Sequence, residues 1–223
     1  MTDPKISMTT TNREVRRRHQ VLTVAACGVL LGAVDLLLQR TLPYPWANLA
    51  NSSAVWALGA FGIGWWLRAG WWRSALAGIV LLVVAVQVYH LTAAVVMDDD
   101  VQMLWSPTGI MWSAFGVLAG ALFGAAGGLT HDRRPWLRPI AVAMPGAVLL
   151  AEAAMLVDRS DNPGRGPNYR TDSLQTAAIE AILGVALILL VARTNRVRLL
   201  ALTAAIVLAA IGFAGFTVAG FGD

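Results

Sequence analysis

An all-α bundle that crosses a membrane about seven times is the fold this sequence predicts, and three observations predict it. The chain of 223 residues is 57% hydrophobic and 13% charged, about half the charge content of a soluble domain. Its mean hydropathy is +0.62, and the apolar residues fall in runs suited to the roughly 30 Å hydrocarbon core of a bilayer. Short, arginine-bearing connections separate those runs. At about 20 residues per span plus connections, six or seven helices consume the chain and leave no soluble domain of useful size. The expected organisation is a cytoplasmic basic tail over 1–20 and a single transmembrane helical domain over 21–223, multi-pass in the cell membrane.

The first span is predicted over 21–39. Arg16-Arg-Arg18 precedes it, as in a signal peptide, but its apolar run is long for an h-region and no clean A-x-A site follows. It therefore reads as a retained span. The lone cysteine, Cys27, lies within it, which excludes an internal disulfide and any cysteine-based metal site. The second span, over 53–67, is short, and flanking tryptophans and small polar residues are expected to extend it. The third, over 74–96, carries Gln87, Tyr89 and His90 late in its run. In the fourth, over 109–129, Gly116, Gly120, Gly124 and Gly128 stay close to one helix face and predict tight contact with another backbone. Gly28 and Gly32 repeat that spacing in the first span. The fifth, over 139–157, contains Pro145, where a kink is expected, and Glu152 about two turns further on. The sixth, over 174–192, contains Glu180. The seventh runs over 199–219.

Positive charge sets the orientation. A cytoplasmic N-terminus puts Lys5 and the arginines at 13, 16–18, 68, 73, 133, 134, 138, 193, 196 and 198 inside, and leaves Arg40, Arg159, Arg165 and Arg170 outside. That is the asymmetry of the positive-inside rule. Acidic residues lean the other way, with Asp98–Asp100, Asp158, Asp161, Asp172 and Asp223 outside against Asp3, Glu14 and Asp132 inside. The nine tryptophans bracket both boundaries, as an aromatic belt does, so none requires a ligand to account for it.

Three carboxylates nevertheless stand within spans: Asp35, Glu152 and Glu180. A carboxylate at a helix centre costs about 2.5–3.5 kcal/mol on insertion scales. Counting about 1.5 Å per residue from the nearest outer boundary puts Asp35, His90, Glu152 and Glu180 roughly 7–10 Å deep, all in the outer half. Carboxylates converging in a low-dielectric site need a proton or a positive group. The pattern predicts an outward-facing polar pocket of Asp35, Gln87, Tyr89, His90, Glu152 and Glu180, suited to a small solute, an amine or another cation. The plainer account leaves each group near the interface, capping a hydrogen bond or pairing with an arginine, Asp35 with Arg40 above all.

No HExxH, GxSxG, P-loop or GxGxxG stands where its mechanics would work. No catalytic residue, metal ligand set or cofactor is assigned. Ser53-Ala-Val-Trp-Ala-Leu-Gly-Ala60, the Tyr89-His90 pair, Phe123-Gly-Ala-Ala-Gly127 and Leu149-Leu-Ala-Glu-Ala153 together resemble a chiefly actinobacterial membrane-protein family classified only as a domain of unknown function. The resemblance covers Asn51 to Ala154, a little under half the chain. It implies an all-helical membrane protein without assigned activity, and no functional residue carries over from it. The family's pattern has a second tyrosine where this chain has His90, which puts a histidine role in doubt.

The leading expectation is a protein that binds or moves a small solute or cation through that pocket, alone or as the capturing subunit of a larger transporter. The alternative is a non-transporting scaffold or regulatory subunit that assembles with other membrane subunits through its glycine-rich faces. Lipid is a partner in either case, and nucleic acid in neither.

Overall fold

In hydrocarbon a backbone amide finds no water, so each apolar run closes its own hydrogen bonds as a helix. The structure, a computed structural model, describes residues 4–162 and 166–219, with side chains from Glu14 onward. Asp3, Arg165 and Asp223, and the side chains of Lys5 and Arg13, lie outside the described residues. Among the described residues the protein is all-helical. The elements are α1 (Pro4–Thr41), a short α2 (Trp46–Ala50), α3 (Ser53–Leu67), α4 (Trp71–Met97), a 3-10 turn (Val101–Trp105), α5 (Pro107–Leu129), α6 (Leu137–Arg159), α7 (Tyr169–Val191) and α8 (Asn195–Val218). The seven expected spans are the seven longer helices, and the basic tail continues into α1 without a break.

Local chemistry sets the boundaries. Ser106 accepts the Gly109 amide at 3.1 Å and Pro107 occupies the first turn of α5, a helix start that needs no other help. Thr194 caps α8 in the same way through the Val197 amide. The helix α6 runs from Leu137 to Arg159 through Pro145. Among the described residues six helices are long and apolar enough to cross a membrane, and the chain is a polytopic membrane protein. The short one is α3. Its 15 residues give a rod of about 23 Å, some 7 Å less than the hydrocarbon core. The flanking residues do not lengthen it, because Ser52 caps it and the chain turns away into α2.

Helices α1, α3, α4 and α5 pack together, and α6, α7 and α8 form a second group joined to the first through α3–α6, α5–α6 and α2–α7 contacts. Each group has its own apolar core. The first centres on Phe61, Leu81, Leu82 and Phe123, and the second on Val142, Ala147, Ile188 and Ala205. Large apolar side chains also cover the outside: Leu190 is 80% exposed and Ile182 70%. A surface like that is wetted by lipid tails. At one end Trp65, His131, Arg138 and Arg193 surround a cavity of about 210 Å³. By the charge rule this is the inner end, and Thr41, Met97, Arg159 and Tyr169 mark the outer one.

Lipid removes the water-exclusion force between helices, so close backbone approach holds the first group together. Gly120 lies against Gly78 of α4, where an added β-carbon would come within 2.6 Å of the Gly78 carbonyl carbon. Gly124 meets Ser74 of α4 and Gly64 of α3, Gly127 meets Phe61, Gly128 sits on Ser74, and Gly116 faces Leu82 at ordinary contact distance. Gly28 and Gly32 bring α1 onto α4 in the same manner. The glycine face of α5 is therefore filled by this chain's own α3 and α4.

Leucine at Gly124 should lower stability by at least about 1–3 kcal/mol, the usual cost of overpacking. Alanine at Gly62, where an added β-carbon meets nothing within 4 Å, should leave stability unchanged. Thermal unfolding in detergent measures both, and a tolerant Gly124 would contradict this packing.

Candidate functional site

The short helix creates a problem that Glu152 solves. The first amides of any helix lack intrahelical acceptors, and those of α3 begin well below the outer ends of its neighbours. Glu152 stands seven residues before Arg159, the end of α6, or about 10 Å down that helix. That depth is close to the length α3 lacks. Its carboxylate accepts the Ala54 amide at 2.7 Å, the Ser53 amide at 3.2 Å and the Ser52 hydroxyl at 3.0 Å. The Val55 amide goes to the Ser52 hydroxyl at 3.4 Å. Thus a side chain of α6 caps α3, and its charge faces the positive end of the α3 dipole. Arg159, on the same helix, adds a favourable charge to Glu152. Glu152 is only 6% exposed, yet it is fully engaged.

Glu180 is different. It is 0% exposed, it faces Glu152 and Ser52 from α7, and neither carboxyl oxygen has a hydrogen-bond partner among the described residues. One turn away, Thr176 fastens α2 to α7. Its hydroxyl donates to the Asp172 carbonyl at 2.8 Å and accepts from Asn48 at 3.4 Å.

Asp35 lies on the other side of the α2–α3 junction. It is 5% exposed. Its Oδ1 accepts the Trp56 indole N–H at 3.1 Å, and its Oδ2 has no partner among the described residues. Arg40 instead donates to the Val96 carbonyl at 3.3 Å, so the one-helix pair Asp35–Arg40 does not form. Asp35 lines a cavity of about 330 Å³ among α1, α3, α4 and α5, together with Asn51, Ser53, Trp56, Tyr89, His90, Trp112 and Phe115. Trp56 meets Tyr89 edge-on at 6.2 Å, and Tyr89 meets His90 at 90° and 5.7 Å. The Tyr89 hydroxyl accepts from Gln39 at 2.6 Å, which fixes its ring.

The six residues expected to form one pocket thus divide three ways. Asp35, Tyr89 and His90 share the cavity. Glu152 and Glu180 form a pair behind the junction. Gln87 turns to α5, where it donates to Ser113 at 2.9 Å. Four further groups take part that the sequence does not single out: Ser52, Trp56, Gln39 and the Ser53–Ala54 backbone. The run Asn51-Ser-Ser53 before an apolar segment is a helix-start signature and marked the junction. Trp56 was hidden by its resemblance to a belt tryptophan. No group of three or more His, Cys, Asp or Glu able to hold a metal occurs among the described residues.

A family profile described as a family of unknown function (DUF6518) matches residues 11–220. No curated protein matches the chain, and no solved structure does.

Replacing Glu152 with alanine removes three acceptor contacts from a buried helix start and should cost about 2 kcal/mol or more. Glutamine, which keeps one acceptor oxygen, should cost less. Melting temperatures in the order wild type, Glu152→Gln, Glu152→Ala check this, and an unchanged alanine variant would show that α3 needs no cap.

Proposed function

The chain belongs to this family of unknown function, and from the site itself we propose that it binds a small protonated amine, or a closely similar organic cation, in the cavity beside Asp35. Movement of that solute across the bilayer is the activity such a site serves. The observation that carries the reading is the orphan oxygen: Asp35 Oδ2 is buried and without a partner among the described residues, on a residue that lines a cavity of about 330 Å³. A buried carboxylate oxygen calls for a charged donor.

The lining selects among cations. A bare metal ion needs a shell of oxygens, whereas this cavity presents one carboxylate and mostly apolar and aromatic wall. Indole, phenol and phenyl faces attract an organic cation through their quadrupoles, by about 0.5–2 kcal/mol each. A volume near the lower end of the range for ligand cavities admits a small molecule with a short apolar body. A primary or secondary amine can donate to the Asp35 carboxylate. A quaternary ammonium cannot, and should bind less well.

Purified protein in detergent should bind small primary amines, measured by calorimetry, and not the matching neutral alcohols. Asp35→Asn should weaken that binding about tenfold to hundredfold, the worth of one charge-assisted hydrogen bond. Undiminished amine binding by Asp35→Asn would sink the reading.

A further inference from the structure

We propose that Glu180 and Glu152 hold a single proton between them, carried by Glu180 and bridged through the Ser52 hydroxyl. Glu152 has what an ionised carboxylate requires: two amides, a hydroxyl, a helix N-terminus and the charge of Arg159. Glu180 has none of these, although it is 0% exposed and faces the same cap. A second negative charge there would be enclosed without a donor and beside a like charge.

Hydrogen-bond polarity gives the proton a place. The Ser52 hydroxyl spends its hydrogen on Glu152 Oε2, and its oxygen, which already accepts the Val55 amide, keeps one further lone pair to accept with. Neither Glu180 oxygen is bonded to a described residue in the structure; a protonated Glu180 that turns its hydroxyl to Ser52 completes a chain from Glu180–OH to Ser52–OH to Glu152 carboxylate that satisfies every member. An ionised Glu180 could only accept, and Ser52 has no second hydrogen to give. The charged and titratable groups around the pair are few. Helix α6 contributes Glu152, with Asp158 and Arg159 at its outer end and Arg138 at its inner end, α2 and α3 contribute none, the charged residues of α8 are Arg196 and Arg198 at its inner end, and α7 itself carries Arg170 and Asp172 at its outer end.

A consequence rests on the amine reading above. Ser53 lines the cavity and its amide is bonded to Glu152, so one short junction separates the two sites. A cation arriving beside Asp35 favours the ionised pair, and the Glu180 proton departs to solvent. One positive charge enters and one leaves, so the buried region keeps its net charge. By reciprocity, the protonated pair weakens cation binding.

The test needs no ligand at first. Infrared difference spectra of wild-type protein at neutral pH should show the carbonyl stretch of a protonated carboxylic acid. Glu180→Gln should remove that band and Asp35→Asn should keep it. Ser52→Ala, which spares both carboxyls, should shift its frequency. Absence of the band in the wild type, or its survival in Glu180→Gln, overturns the proposal, and an unshifted band in Ser52→Ala overturns the bridge. A pH indicator in weakly buffered solution then reads proton release when a primary amine is added. Release by the wild type and none by Glu180→Gln is the expected result. Amine binding without release overturns the coupling, whereas absent amine binding fails the cavity reading and leaves the infrared result standing.

Discussion

The outer half of the bundle is organised around a carboxylate pressed against the start of a helix that begins too deep. Helix α3 has 15 residues, so its first amides open inside the protein at a level where water is scarce. Irregular backbone at such depth persists only where protein or a wet cavity satisfies it. Glu152 supplies that satisfaction from α6, with three acceptor contacts at 2.7–3.2 Å. Because the cap crosses between the two helix groups, it also fixes how they dock. The Asn51–Ala54 junction is held on one side by the Glu152 contacts and opens on the other side toward the cavity.

Packing works to the same end. The glycines of α5 bring α3 and α4 onto it with almost no side chain between, and the glycines of α1 bring α4 close in turn. The space left among these four helices is the cavity lined by Trp56, Tyr89 and Trp112, and Gly116 of the glycine face is part of its wall. The small residues that make the contact and the aromatic residues that line the cavity are thus two parts of one arrangement.

Much of the fold was legible because hydrophobicity, glycine spacing and capping residues are local signals. Ser106-Pro107 and Thr194 set helix starts by chemistry contained within a few residues. The places of Asp35, His90 and Glu152 near the outer ends of their helices were legible too, since they need only a count along each helix. Glu180 instead stands near the middle of α7, which begins at Tyr169, before the expected span. What a count cannot supply is azimuth. Gln87 stands three residues from His90 yet turns to Ser113, and Asp35 bonds a tryptophan 21 positions away in preference to Arg40. The role of Glu152 was hidden for a related reason: its partners lie about 100 positions away. The visible clue was the length of the second span, which is short by about the depth of that glutamate.

The three buried carboxylates do not carry equal functional weight. A charge in this setting costs energy, so its structural work should be compared with what a neutral amide could do in its place. Glu152 passes that comparison. Three donors converge on its two oxygens, and the amide group of a glutamine, with one acceptor oxygen, could not receive them all. Asp35 does not pass. Accepting one indole N–H at 3.1 Å is work an asparagine performs equally well without charge. Glu180 accepts nothing from any described residue, and its structural work is nil. Carboxyl oxygens without a described partner therefore sit on the two flanks of one capped junction, one on Asp35 beside an aromatic cavity and both of those on the enclosed Glu180. On the two readings proposed above, a positive species of matching size answers each of these groups: an amine where there is room, and a proton where the carboxyl is enclosed.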